Sequence, residues 1–221
     1  MPSLSRDSDV FLLDLGSDEN RFTPEWLDDV ERLLGEVEAT QPRALVTTAT
    51  GKFFSNGLDL DRLGQDPGGL APYVRRVHGL FARILAFPAP TVAAIQGHVF
   101  AAGAMLALAH DWRVMRADRG YFCLPEVDIH IPFTPGMDAL IRCKLTPSTA
   151  IEAMTTGRRY GGNDALAAGL VDEAVAEDEV VPRAVERVRG LAGKDSATLA
   201  VIKQRMFNDV LTALTEGELG F

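Results

Sequence analysis

Two glycine-bearing turns and one glutamate are the parts of this 221-residue chain whose types and spacing could do chemistry. The first turn is Lys52-Phe53-Phe54-Ser55-Asn56-Gly57-Leu58, the second Gln96-Gly97-His98-Val99-Phe100-Ala101-Ala102-Gly103-Ala104-Met105, and the glutamate lies in Leu124-Pro125-Glu126-Val127-Asp128-Ile129. Each turn follows a strand-like apolar run and opens a helix-like one. Each can therefore present backbone N–H groups at a helix N-terminus, where the helix dipole favours negative charge. Two such donors can hold one oxyanion. A glutamate beside them is a base for removing a proton next to a carbonyl.

The elements that must position these groups alternate along the first half of the chain, which predicts an α/β arrangement with crossover connections. Strands are expected near 10–15, 44–48, 91–95 and 112–115, with helices over 25–37, where Thr23 and Pro24 open the first turn, and over 73–86, stopped before Pro88 and Pro90. Beyond about residue 135 the pattern is mostly helical, with a short strand at 170–175 and helices near 181–191 and 196–214. This divides the chain into a core over 1–145 and a mostly helical region over 146–221. The breaker-rich loop at 65–69 reads as a mobile segment beside the first turn.

Composition removes several function classes. A net charge of -9 argues against a nucleic-acid partner, which calls for a basic face. Cys123 and Cys143 sit in apolar runs outside any metal-ligand spacing, so both read as buried free thiols, with no metal. The apolar run at 10–13 is too short for a signal or a membrane span, and the last residues match no retention or peroxisomal address. The expectation is a cytoplasmic protein with no membrane partner.

At the three segments the chain resembles the crotonase (enoyl-CoA hydratase/isomerase) superfamily, and Gly169-Leu170-Val171-Asp172 looks like another recurrent stretch of that family. The resemblance implies a spiral of β-β-α repeats with a C-terminal helical region, assembly as a homotrimer or hexamer, and an acyl-CoA thioester as substrate. No separate cofactor is implied, because the substrate itself carries coenzyme A. Carried over by position, the thioester oxygen would rest on the N–H groups of Leu58, just after Gly57, and Ala102, beside Gly103. Such donors contribute about 3 kcal/mol each to transition-state stabilisation.

The family's hydratases use two glutamates, since adding water needs a water activated and a proton delivered. This chain has Met105 at the first of those positions and Glu126 at the second. A thioether exchanges no protons, whereas one carboxylate suffices to move a proton from C2 to C4 of a 3-enoyl thioester. The departure favours an isomerase over a hydratase. Pro125-Glu126-Val127-Asp128-Ile129 and Ala139-Leu140-Ile141-Arg142-Cys143-Lys144 look most like the plant Δ3,Δ2-enoyl-CoA isomerases of the superfamily. Another crotonase reaction, or an acyl-CoA-binding subunit without catalysis, is the alternative.

A pocket of Phe54, Phe100, Met105 and Leu124 is expected around Glu126, raising its pKa toward working pH. Lys52 and Arg62, flanking the first turn, are candidates for the coenzyme A phosphates, as are Lys203 and Arg205 across a subunit boundary. A solvated surface is the competing reading for all four. Asp128, His130 and His98 are further groups that could assist Glu126 or touch ligand, and His78 and His110 have no acidic partner at useful spacing.

Overall fold

The runs at 44–48 and 91–95 lack polar alternation, the pattern of strands covered on both faces. In the computed structural model, which describes residues 1–41, 43–63 and 69–220 without the side chains of 62 and 63, they form β3 (Ala44–Thr48) and β5 (Thr91–Ile95), buried throughout. β1 (Ser3–Asp7), β2 (Val10–Asp14), β7 (Trp112–Arg116) and β9 (Glu173–Val175) complete a six-stranded sheet in the order β1-β2-β3-β5-β7-β9. Its neighbours are parallel except for the β1-β2 hairpin.

A second, smaller parallel sheet carries β4 (Phe53–Ser55), β6 (His98–Phe100) and β8 (Phe122–Cys123) in the order β4-β6-β8. The chain passes from large sheet to small sheet to helix three times. β3 and β4 lead to α2 (Leu60–Leu63) and α3 (Leu70–Leu85), β5 and β6 to α4 (Ala102–Ala109), and β7 and β8 to α5 (Pro135–Lys144). This is the α/β spiral of β-β-α repeats that the resemblance implies.

Ahead of the spiral, α1 (Pro24–Glu38) starts where Thr23 accepts from the Trp26 N–H, with Pro24 in the first turn. The later helices are α6 (Pro147–Thr156), α7 (Gly162–Ala167), α8 (Val180–Arg189), α9 (Ser196–Met206) and α10 (Asn208–Thr215). The single helix expected over 196–214 is broken at Phe207, whose φ of -111° and ψ of 16° leave the helical region.

One face of the large sheet joins the main core through Leu45, Ala93 and Met115, while the other packs Val46, Val92 and Val114 against Val180, Ala184, Val185 and Val188 of α8. Each of the Val, Leu and Met side chains stabilises by roughly 1.5–3 kcal/mol when fully buried. Both β9 and α8 come from beyond residue 145, so the boundary read at 145/146 runs through one shared sheet. Cys123 is buried, but Cys143, expected to be buried, is exposed at the end of α5. Among the described residues no helix is long and apolar enough to cross a membrane, and no cluster of metal-ligating side chains occurs.

Candidate active site

The strands of the small sheet run parallel, so their C-terminal ends open to one side, the side on which ligands bind in parallel sheets. The first turn leaves β4, the second leaves β6, and Glu126 follows β8. The two turns touch. Gly57, at φ +81°, has no Cβ, and one placed there would lie 2.8 Å from the Ala102 nitrogen and 3.1 Å from the Gly103 nitrogen. A side chain at Gly57 would thus fill the space between the turns.

Neither the Leu58 nor the Ala102 N–H has a partner among the described residues, and both residues line a cavity of about 390 Å³. Ala102 opens α4, preceded by Ala101 at φ 51° and ψ -127°. A non-glycine residue held there carries strain of about 1–3 kcal/mol. The strained residue thus immediately precedes the Ala102 N–H, at the point where the helix begins and the chain lines the cavity.

A set of hydrogen bonds braces the first turn. Asn20, buried and at φ 49°, donates from its amide nitrogen to the carbonyls of Gly16, Phe53 and Phe54 at 3.2, 3.2 and 3.1 Å. Ser55 Oγ donates to the Asn20 carbonyl at 2.8 Å and accepts from the Gly57 N–H at 3.1 Å. Gly103 packs on Ser55 so closely that a Cβ would meet its carbonyl oxygen at 2.6 Å. Gly103, a candidate ligand contact, therefore serves the approach of the turns to each other.

Glu126 lies in a turn, with the N–H groups of Asp128 and Ile129 donating to the Pro125 carbonyl at 2.9 and 3.1 Å. Its side chain is buried and lines the cavity, and Oε2 has no hydrogen-bond partner among the described residues. Burial pushes its pKa up to about 7, against a smaller lowering from a backbone hydrogen bond. A buried carboxyl with one unpartnered oxygen and such a pKa is a base near neutrality.

The cavity brings together Leu58, Phe100, Ala102, Met105 and Glu126 from the expected set. Phe54 and Leu124 are instead fully buried in the core. Strand alternation explains this, because Phe53 and Cys123, their neighbours, point to the opposite face. Lys52 is exposed, its Nζ 5.2 Å from the Phe53 ring centroid. The Arg62 side chain lies outside the described residues, as does the loop 65–68. Lys203 is buried, donating to Asp111 Oδ2 at 2.7 Å and the Ala89 carbonyl at 2.9 Å, so it is no free phosphate ligand.

Asp128 and His130 are exposed and line no part of this cavity; Asp128 packs against Gly157. His78 and His110 are buried structural groups, His78 joining the Leu214 carbonyl to Thr134 Oγ1 and His110 the Leu106 carbonyl to Thr47 Oγ1. Residues that line the cavity and were not among the expected site residues include Arg21, Cys123, Ile129, Ile131, Pro132, Met137 and Arg159. Only proximity to Glu126 could have suggested the apolar ones. Arg21 is held by Glu19 at 2.6 Å, Asp61 at 3.0 Å and Asp59 at 3.6 Å.

The arrangement can hold an enolate oxygen and move a proton beside it. The enoyl-CoA hydratase/isomerase family model matches residues 10–218. Enoyl-CoA delta isomerase 2, peroxisomal, of Arabidopsis thaliana is 38% identical over 207 residues, covering 88% of this chain and 86% of its own. Enoyl-CoA delta isomerase 3 of the same plant is 36% identical over 225 residues, covering 95% and 93%. Among solved structures, a probable enoyl-CoA hydratase from Mycobacterium tuberculosis H37Rv superposes with a TM-score of 0.89 at 29% identity, covering 98% of this chain and 92% of its own. With its spiral fold, its paired turns and this match over nearly the whole length, the chain belongs to the enoyl-CoA hydratase/isomerase family.

Proposed function

We propose that the chain is an acyl-CoA isomerase that moves the double bond of a 3-enoyl-CoA to the 2-position. The observation that carries this is Glu126, the one buried carboxyl lining the cavity among the described residues, with Met105 beside it. The other acid there, Asp61, is largely exposed and paired with Arg21. Hydration needs two proton-exchanging groups and isomerisation needs one.

The thioester oxygen accepts from the Leu58 and Ala102 N–H groups, which acidifies the C2–H bond. Glu126 takes that proton, and negative charge spreads from the oxygen through C2 to C4. The protonated carboxyl then delivers the proton to C4, leaving the double bond between C2 and C3 and Glu126 ready for another turn. The apolar wall of Ile129, Ile131, Pro132 and Met137 keeps water from the enolate and favours an apolar acyl group.

The test is conversion of a 3-enoyl-CoA to its 2-enoyl isomer, with hydration of the 2-enoyl-CoA measured alongside; hydration without isomerisation would overturn the reading. Met105→Glu is expected to retain isomerisation and to gain slow hydration, since it restores a second carboxyl beside the first. Loss of thioester binding in that variant would count against Met105 as part of the acyl pocket.

We further propose a homotrimer or hexamer. Support comes from α9, which exposes Val201, Ile202 and Met206 beside a second apolar cavity of about 540 Å³ walled by Trp112, Leu199 and Phe207. Light scattering that finds a monomer would remove this. A cytoplasmic location remains part of the reading, and fractionation of the host cell checks it.

A further inference from the structure

The second cavity, of about 540 Å³, lies where β5 and β7 begin, between the last residue of α5 and one side of α9, and it shares no lining residue with the catalytic cavity. Trp112, Leu199, Ile202, Met206 and Phe207 make its walls apolar. A concave space of roughly 300–1,000 Å³ with apolar walls and a few polar groups is the usual shape of a small-molecule site.

The charged groups in it are unequally satisfied. Lys203 donates to Asp111 Oδ2 at 2.7 Å, and the same oxygen accepts from the Thr91 N–H at 2.8 Å. Asp195 caps α9, its Oδ1 accepting from the Thr198 N–H at 2.8 Å, and Lys194 is exposed to solvent. Lys144, half-buried at the end of α5, has neither a hydrogen bond nor an ion pair among the described residues; its Nζ has only the Phe207 ring, 5.1 Å away at the centroid. Burial, then Arg113 and more weakly Lys203, pull its pKa down to about 8, with Asp111 and Cys143 acting in the opposite direction. An ammonium held among apolar walls without an anion is a costly arrangement that a ligand can complete.

We infer that this cavity binds a monocarboxylic acid with an apolar tail, a free fatty acid, its carboxylate on Lys144 and its tail along Trp112, Ile202 and Met206. The carboxylate would form a charge-assisted bond to the one cation there that lacks a partner inside the cavity. The tail would take from water the exposed parts of Ile202 and Met206, which are 48% and 66% accessible. A single charge fits better than two, because Asp111 and Asp195 line the same space and would repel a second. A neighbouring subunit against α9 is the competing occupant, so the experiment uses the assembled protein.

Octanoate, octanol and acetate are titrated calorimetrically into the wild type and into Lys144→Met, with light scattering to follow assembly and thermal melting to confirm folding. The wild type should bind octanoate, take octanol at least about tenfold more weakly and show no measurable binding of acetate. Lys144→Met should bind octanoate and octanol about equally, both weakly. At pH 8 the carboxylate draws the half-neutral Lys144 amine into its ammonium form, so heats measured in different buffers should show about half a proton taken up per octanoate by the wild type and none by the variant. Octanoate binding or proton uptake unchanged by Lys144→Met, equal affinity of the wild type for octanol, or no octanoate binding to the assembled wild type would overturn the assignment. Turnover enters none of these readings, so inactivity toward 3-enoyl-CoA would sink the isomerase reading and leave this one standing.

Discussion

Glu126→Gln isomerises 3-enoyl-CoA about 10²–10⁴-fold more slowly than wild type, the usual contribution of a positioned acid–base group, while its affinity for the thioester is unchanged. The amide keeps the shape of the carboxyl and removes the proton exchange. In the wild type, kcat/KM rises with pH and levels off above about 7, where burial has placed the Glu126 titration; in the variant that limb disappears. Stability moves the other way. A carboxyl whose pKa is raised in the fold contributes fully below its ordinary range near 4.5, and that contribution is lost as pH rises to about 7. Urea unfolding should therefore find Glu126→Gln more stable than wild type at pH 8, by at most on the order of 3 kcal/mol, with the difference gone near pH 4. A variant that retains wild-type turnover removes Glu126 from the reaction.

The second large effect is expected at Gly57→Ala. The new methyl group falls 2.8 Å from the Ala102 nitrogen, between the two donors, at a backbone φ of +81° that alanine adopts only with strain. Separating the donors should lower kcat/KM by about 10²–10³-fold, the scale of losing one oxyanion donor. The strain costs about 1–3 kcal/mol of stability, so unfolding and turnover per folded molecule are measured together. Lost stability with intact turnover per folded molecule would show that the gap between the turns does not hold the thioester oxygen.

Much of the spiral was legible because β3 and β5 are five-residue strands inside the sheet, and strands covered on both faces announce themselves as apolar runs. The small sheet was not. Its strands are two or three residues long, too short for a period to register, and β1 is a mostly exposed edge strand of mixed polarity. The same short strands explain the misplaced walls. Without knowing β4 and β8, nothing in the sequence tells that Phe54 and Leu124 face the core while Phe53 and Cys123 face outward. Lys203 read as a surface cation because its partner, Asp111, is 92 residues away. Leu58, Ala102 and Glu126 could be picked out as candidates for the opposite reason, since each stands in a short motif of its own, and they line one cavity.

The two backbone donors and the side chains that would judge the substrate belong to separate stretches of chain. Leu58, Ala102 and Glu126 hang from strand ends fixed by the small sheet and by the Asn20–Ser55 bonds, whereas Ile129, Ile131, Pro132 and Met137 sit on the segment after Glu126. Mutational drift can reshape that segment without disturbing a single donor. A descendant of this chain, or a designed variant, can trade one acyl group for another by changing a few neighbouring codons while inheriting the proton transfer intact.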